Sequence, residues 1–146
     1  MNHLAFVRPA VAVKILDGSK RIESRLSINR PPAWKTEVGD IVYFKEVGGH
    51  IVCCAATLAV DKYENIDSAL LDELIDIYSP GMGTTRDNPY WELKRQSRYG
   101  VFVRIATPRH IEIPKGRIHR KFLAGAAAVW VCNFDPSSAP DVEYPY

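Results

Sequence analysis

The chain has 146 residues, 47% of them apolar and 25% charged, with a formal net charge of +2. That length suits one domain, and that composition excludes an intrinsically disordered chain. The longest apolar runs, Ile51–Val60 and Phe122–Cys132, fall short of the roughly 18–20 residues that cross a bilayer.

In chain order, Leu4–Val7 predicts a short strand. A helix follows, opened by Pro9 in its first turn and stopped by Gly18, with Val11, Ile15 and Leu16 on one face and Lys14 toward the other. Arg21–Ser27 alternates, placing Ile22, Ser24 and Leu26 on one strand face and Arg21, Glu23 and Arg25 on the opposite one. Ile41–Glu46 and Ile51–Lys62 are β-rich runs separated by a Gly48-Gly49 turn. Asp67–Tyr78 carries the clearest helical stripe, Leu70, Leu71, Leu74, Ile75 and Tyr78. Ser79-Pro80-Gly81-Met82-Gly83 breaks it. Asn88–Gln96 predicts a short helix with Pro89 at its start. Tyr99–Ala106 and His110–Ile113 predict strands around a Thr107-Pro108-Arg109 turn, and Ala127–Asn133 predicts a last strand. Many short strands with two or three helices point to an α+β fold, a small barrel or curled sheet, and away from a doubly wound sheet. A single domain over residues 1–134 and an irregular tail over 135–146 are expected.

Cys53 and Cys54 are adjacent in an apolar run and Cys132 stands alone, with neither a CxxC pair nor zinc-ligand spacing. All three are expected to be buried free thiols. The opening residues carry no basic segment leading into a long apolar stretch, so no signal peptide is expected. A cytoplasmic protein is the resulting expectation.

The charge is uneven. Residues 1–35 hold seven basic and two acidic side chains, 36–85 two and nine, and 86–121 ten and three. Two basic segments therefore flank an acidic middle. If the fold joins them, they form a positive surface suited to nucleic acid.

The stretch Gly18-Ser19-Lys20-Arg21-Ile22-Glu23-Ser24-Arg25 carries most of the functional signal. A glycine after a helix lets the chain turn onto a strand with Lys20 at its mouth and with Glu23 and Arg25 on one face. A mobile ammonium, a carboxylate and a planar guanidinium then share one surface. Such a face also serves as a set of cross-strand ion pairs. The GxKxxExR pattern lies between a helix and a Val38-Gly39-Asp40 turn into a strand, and it resembles the ASCH domain of the PUA-like superfamily. Gly18, Lys20, Glu23 and Arg25 match it. Tyr90-Trp91 and the Arg98-Tyr99-Gly100-Val101-Phe102-Val103 strand resemble the family's C-terminal half, so the resemblance spans residues 3–132. It implies a PUA-like pseudo-β-barrel of about six short strands with two or three flanking helices, and a cleft lined by the motif.

The resemblance implies binding of RNA or of a modified nucleoside. Some members of the family are amidohydrolases acting on N(4)-acetylcytidine, in which the motif lysine activates a threonine placed three residues later. Here Lys20 is kept and Glu23 stands at the threonine position; a carboxylate attacking an acyl group would give a mixed anhydride, so that nucleophile is missing. Other members are linked to ribonuclease activity, in which Lys20 would stabilise phosphate charge. If the chain is an enzyme, Lys20 and Glu23 are the candidate catalytic residues.

His3, His50, His110 and His119 have no metal-ligand spacing and no adjoining nucleophile, so neither a metal site nor a serine triad is expected. Gly81-Met82-Gly83 lacks the context of a dinucleotide loop, and no cofactor is expected. Trp34, Tyr90, Trp91 and Tyr99 lie in or beside the basic segments, where exposed rings stack bases. Trp34, after Pro31-Pro32, is the best stacking candidate. Arg95, Arg98 and Arg104 are candidate phosphate contacts. The expected ligand site is thus Lys14, Lys20, Glu23, Arg25, Trp34 and Arg98, and the expected partner is single-stranded RNA or a modified nucleoside, with no membrane.

Overall fold

Strand β1, Asn2–Val7, is buried from His3 onward, and its place in the sheet explains why its sequence does not alternate. It pairs in parallel with β3 (Ile41–Glu46), Leu4 opposite Tyr43, and antiparallel with β8 (Trp130–Cys132), Leu4 opposite Val131. A strand with a neighbour on each side and a core on each face has no solvent-facing side to mark with polar residues. Ala5 and Val7 face one core with Ile15, Val42 and Phe44, while Leu4 and Phe6 face another with Ile51 and Phe134. The computed structural model describes residues 1–113, 118–119, 129–136 and 144–145.

The main sheet is seven-stranded, in the order β2-β5-β4-β3-β1-β8 with β6 also on β4. Its remaining members are β2 (Ile22–Ser27), β4 (Ile51–Tyr63), β5 (Tyr99–Ile105) and β6 (Arg109–Ile113). The long strand β4 pairs with three strands, β3, β5 and β6. Its first half pairs with β3 and its second with β5, and the register shifts between Thr57 and Ala59. Such an irregularity sharpens the local twist and curls the sheet. The result is the expected α+β pseudo-barrel, flanked by α1 (Pro9–Leu16), α2 (Ser68–Tyr78) and α3 (Pro89–Leu93). A small parallel pair, β7 (Ile118–His119) with β9 (Tyr144–Pro145), stands apart.

Helix α2 follows the predicted stripe. Asp67 caps it by accepting the Leu70 N–H at 2.8 Å, and Leu71, Leu74, Ile75 and Tyr78 are buried against β2 and β5. Helix α1 differs from the expectation in its face. Ala12 and Ile15 point inward, whereas Leu16 is exposed, because an i, i+3 pair already covers the narrow contact with the sheet. Helix α3 is shorter than expected and ends at Leu93, since the chain must turn back for the Arg98 N–H to reach Ser27 O on β2.

Cys53 and Cys54 are buried free thiols, and burial pushes Cys53 up to about 12. Cys132 departs from the expectation and is half-exposed, because it lies on the edge strand β8. No helix among the described residues is long and apolar enough to cross a membrane. The expected strand start at Ala127, the side chains of the basic run Lys115–Lys121 (His119 included) and most of the 135–146 tail lie outside the described residues.

Candidate nucleotide-binding cleft

The site begins where α1 hands over to β2. Gly18 sits at φ +82°, a left-handed turn that glycine adopts without strain, and the Lys20 N–H returns to Lys14 O at 3.0 Å. The loop after α2 then clamps the mouth of β2. Gly81 O accepts from the N–H groups of Arg21 and Ile22 at 2.7 and 2.9 Å. Gly83, at φ +68°, lies so close to the motif that a Cβ would come within 2.9 Å of Ser19 O. Lys14 Nζ completes the clamp by donating to Gly83 O at 3.1 Å. The Ser79–Gly83 segment, which the sequence marks only as a helix breaker, therefore holds the motif in place.

Along β2 the motif side chains are buried together, with Glu23 7% and Lys20 9% exposed. Glu23 Oε1 is 3.3 Å from Arg25 Nε, and its Oε2 is 3.8 Å from Lys20 Nζ. Oε2 is buried and accepts no hydrogen bond among the described residues. Arg25 is anchored from behind, since it donates to Phe6 O at 3.1 Å and its guanidinium lies 5.3 Å from the Trp130 ring.

These residues line a cavity of about 850 Å³ between α1, β2 and α3. Because β2 is an edge strand, the cavity reaches around it and takes in both of its faces. Ser24, expected to point away from the Glu23 face, consequently lines the same cavity and bonds the Tyr90 hydroxyl at 2.9 Å. Burial chiefly pushes the Tyr90 phenol up to about 12, against the opposing pull of the Ser24 hydrogen bond. At neutral pH this hydroxyl pair keeps its protons and holds no base that could activate Ser24.

The lining is cationic. Arg8, Lys14, Lys20, Arg25 and Arg30 come from the first basic segment, and Glu23 is the lone acid among the lining residues. From the second basic segment Lys94 alone joins them among the described residues. Burial, and then the nearby Arg25 charge, hold the Lys94 ammonium below the ordinary lysine range.

Among the described residues, the expectation that the two basic segments merge is thus met only at Lys94. Arg95 pairs with Asp72 at 2.9 Å and Arg86 with Asp76, on the far side of α3. Arg98 and Arg104 are exposed and outside the lining, because Arg98 sits in the turn before β5 and Arg104 at its far end. Trp34 also lies outside the lining. It meets Tyr99 edge-on at 5.8 Å between centroids, and the Arg30 guanidinium already lies 4.8 Å from its ring. Of the four aromatic candidates Tyr90 is the one in the lining, where the buried Phe6 joins it, while Trp91 is a core residue. Lys14, Lys20, Glu23 and Arg25 are the expected residues that the fold brings together.

A second buried carboxylate lies apart from this cavity. Asp40 Oδ2 bonds His3 Nε2 at 2.8 Å and accepts the Glu37 N–H at 3.0 Å, while Oδ1 meets the Met1 ammonium at 3.0 Å. Burial raises the Asp40 carboxyl, but these partners outweigh it and hold it below the usual carboxylate range. His3 and Asp40 are 37 positions apart, and no sequence signal links them. His50 and His110 are exposed, and no cluster of metal-ligating side chains occurs among the described residues.

No family model and no curated protein matches the chain. Among solved structures, the ASCH protein of Zymomonas mobilis is similar, with a TM-score of 0.57 and 14% identity over 77% of this chain and 71% of that one. A tyrosine-to-phenylalanine variant of the same protein gives a TM-score of 0.55, with 14% identity over 77% of this chain and 76% of that one. The fold is therefore that of the ASCH domain.

Proposed function

We propose that this chain is an ASCH-type module that binds single-stranded RNA or a modified nucleoside in the cleft between α1, β2 and α3. The supporting observation is Glu23, a buried carboxylate between two cations in the lining of a cationic cavity, whose Oε2 has no hydrogen bond among the described residues. A buried polar atom without a partner is costly, so a site that keeps one is suited to a ligand that supplies the donor. A base offers that arrangement: an exocyclic amine or ring N–H for Glu23 Oε2, beside an acceptor for Lys20 Nζ. The surrounding cations suit the backbone phosphates. The free thiols fit a reducing compartment such as the cytoplasm.

The hydrolase reading has less support, since Glu23 replaces the threonine of the amidohydrolase pattern and the Ser24 hydroxyl is bonded to the Tyr90 phenol, a group that stays protonated at neutral pH. The test compares wild type and Lys20→Ala by fluorescence anisotropy on a short single-stranded RNA across a salt series, with mass spectrometry of the same mixtures and of mixtures with N(4)-acetylcytidine. Expected is a steep fall of affinity with salt in wild type, and weaker, less salt-dependent binding in Lys20→Ala. Equal affinity in both proteins would remove Lys20 from the site. Product that forms with wild type and disappears in Lys20→Ala would replace the binding reading with the hydrolase one.

A further inference from the structure

The cleft has two chemically different walls. On the β2 wall Glu23 lies among Lys20 and Arg25, so charge there is partly balanced. On the α3 wall Lys94 lies in the lining, half-buried, with the Tyr90 ring 5.6 Å from its ammonium. It has no carboxylate within ion-pair distance among the described residues. Its neighbour in charge is another cation, Arg25, whose field opposes its protonation. Arg25 is already met by Glu23, whereas Lys94 faces the cavity with no acid of its own among the described residues, an arrangement that an anion would stabilise.

The hydroxyls beside Lys94 are matched to the same ligand. Ser24 and Tyr90 together own two O–H hydrogens, and the bond between them uses one. The other remains to be donated, while Lys94 and Arg25 can only donate. This wall thus offers donors to a group made of acceptor oxygens. The Glu23 oxygen on the β2 wall would repel such a group and instead suits a base edge.

We infer that the α3 wall is a phosphate subsite, in which Lys94 and the Ser24–Tyr90 hydroxyl pair take the phosphate of a nucleotide whose base lies against Lys20 and Glu23. The inference rests on the nucleic-acid reading of the cleft and narrows it: the ligand is a nucleotide, free or within RNA, and not an unphosphorylated nucleoside. The covalent state of the phosphate distinguishes the two sources, a monoester at a free nucleotide and a diester within a strand.

The test is calorimetric titration of wild type, Lys94→Ala and Lys94→Arg with ribonucleosides, with their 5′- and 3′-monophosphates, and with dinucleotides carrying an internal diester. Expected is a preference of about 10-fold or more for the phosphorylated ligand in wild type, as charge-assisted bonds to one phosphate would give. That preference closes in Lys94→Ala and returns in part in Lys94→Arg, which restores the cation and guards against a general packing effect. A preference confined to monoesters identifies a free nucleotide, and one shared by dinucleotides identifies a strand. Equal binding of nucleoside and nucleotide by wild type, or a preference that survives Lys94→Ala, would overturn the subsite while leaving the cleft reading intact. Binding of none of these ligands would overturn both.

Discussion

Asp40 and Glu23 are both buried carboxylates, Asp40 beside the Met1 ammonium and Glu23 between Lys20 and Arg25, with side-chain exposures of 11% and 8%. They differ in completion. Each Asp40 oxygen has a partner at hydrogen-bond distance, from His3, the Glu37 N–H and the Met1 ammonium. Glu23 has cations at 3.3 and 3.8 Å, and one of its oxygens bonds nothing among the described residues. A satisfied buried charge ties elements together, as Asp40 ties the turn before β3 to β1. An unsatisfied one is an expense that the fold bears for something outside itself. Hydrogen-bond completeness, more than burial, separates the structural carboxylate from the candidate site.

That contrast can be broken by mutation. Asp40→Ala strands the fully buried His3 and is expected to cost about 3 kcal/mol or more, read as a lower urea midpoint. Acid titration sharpens the same point. Because the folded Asp40 carboxyl lies below its unfolded value, its contribution is complete above the ordinary carboxylate range and drains away as pH falls through the folded value. Asp40→Asn should therefore show a flatter loss of stability below about pH 4 than wild type. An identical acid limb in both proteins would refute that role. Gly83→Ala, which combines a positive φ with a close approach to Ser19 O, is expected to cost about 1–3 kcal/mol and to weaken RNA binding, since it loosens the clamp on the motif. Glu23→Gln keeps the side chain's shape but leaves Lys20 and Arg25 without their acid, so it is expected to cost about 1–2 kcal/mol, less than Asp40→Ala because Glu23 is the less completely bonded carboxylate. It should also flatten discrimination among bases in the anisotropy assay. A large loss of stability from Glu23→Gln would mean that Glu23 is a second Asp40.

The sequence discloses what local rules govern. The Leu71, Leu74, Ile75 stripe places α2, Pro9 and Gly18 bracket α1, and the alternation after Lys20 gives β2. Gly18, Lys20, Glu23 and Arg25 point to the cleft before any fold is known. What it hides depends on distance along the chain. Ser24 meets Tyr90 across 66 positions, and His3 meets Asp40 across 37. Trp34 is a stacking candidate by its neighbours in sequence, yet its ring is already met by Arg30 and Tyr99. Arg95 and Arg98 belong to a basic segment, but ion pairing on α3 and the turn into β5 direct them elsewhere. Charge counted along the chain does not report which side chains a curled sheet gathers.

The placement of β1 has a consequence for how the molecule is made. Strand β1 is bonded by β3, about forty residues later in the chain, and by β8, well over a hundred residues later. Contacts of such separation close slowly, and they wait on synthesis. Until Trp130–Cys132 emerges, β1 keeps an open edge and Arg25 lacks the ring that lies 5.3 Å from its guanidinium. The motif is thus made well before the strand that completes its surroundings: a nascent or truncated chain that stops short of β8 carries the residues of the cleft without its finished floor.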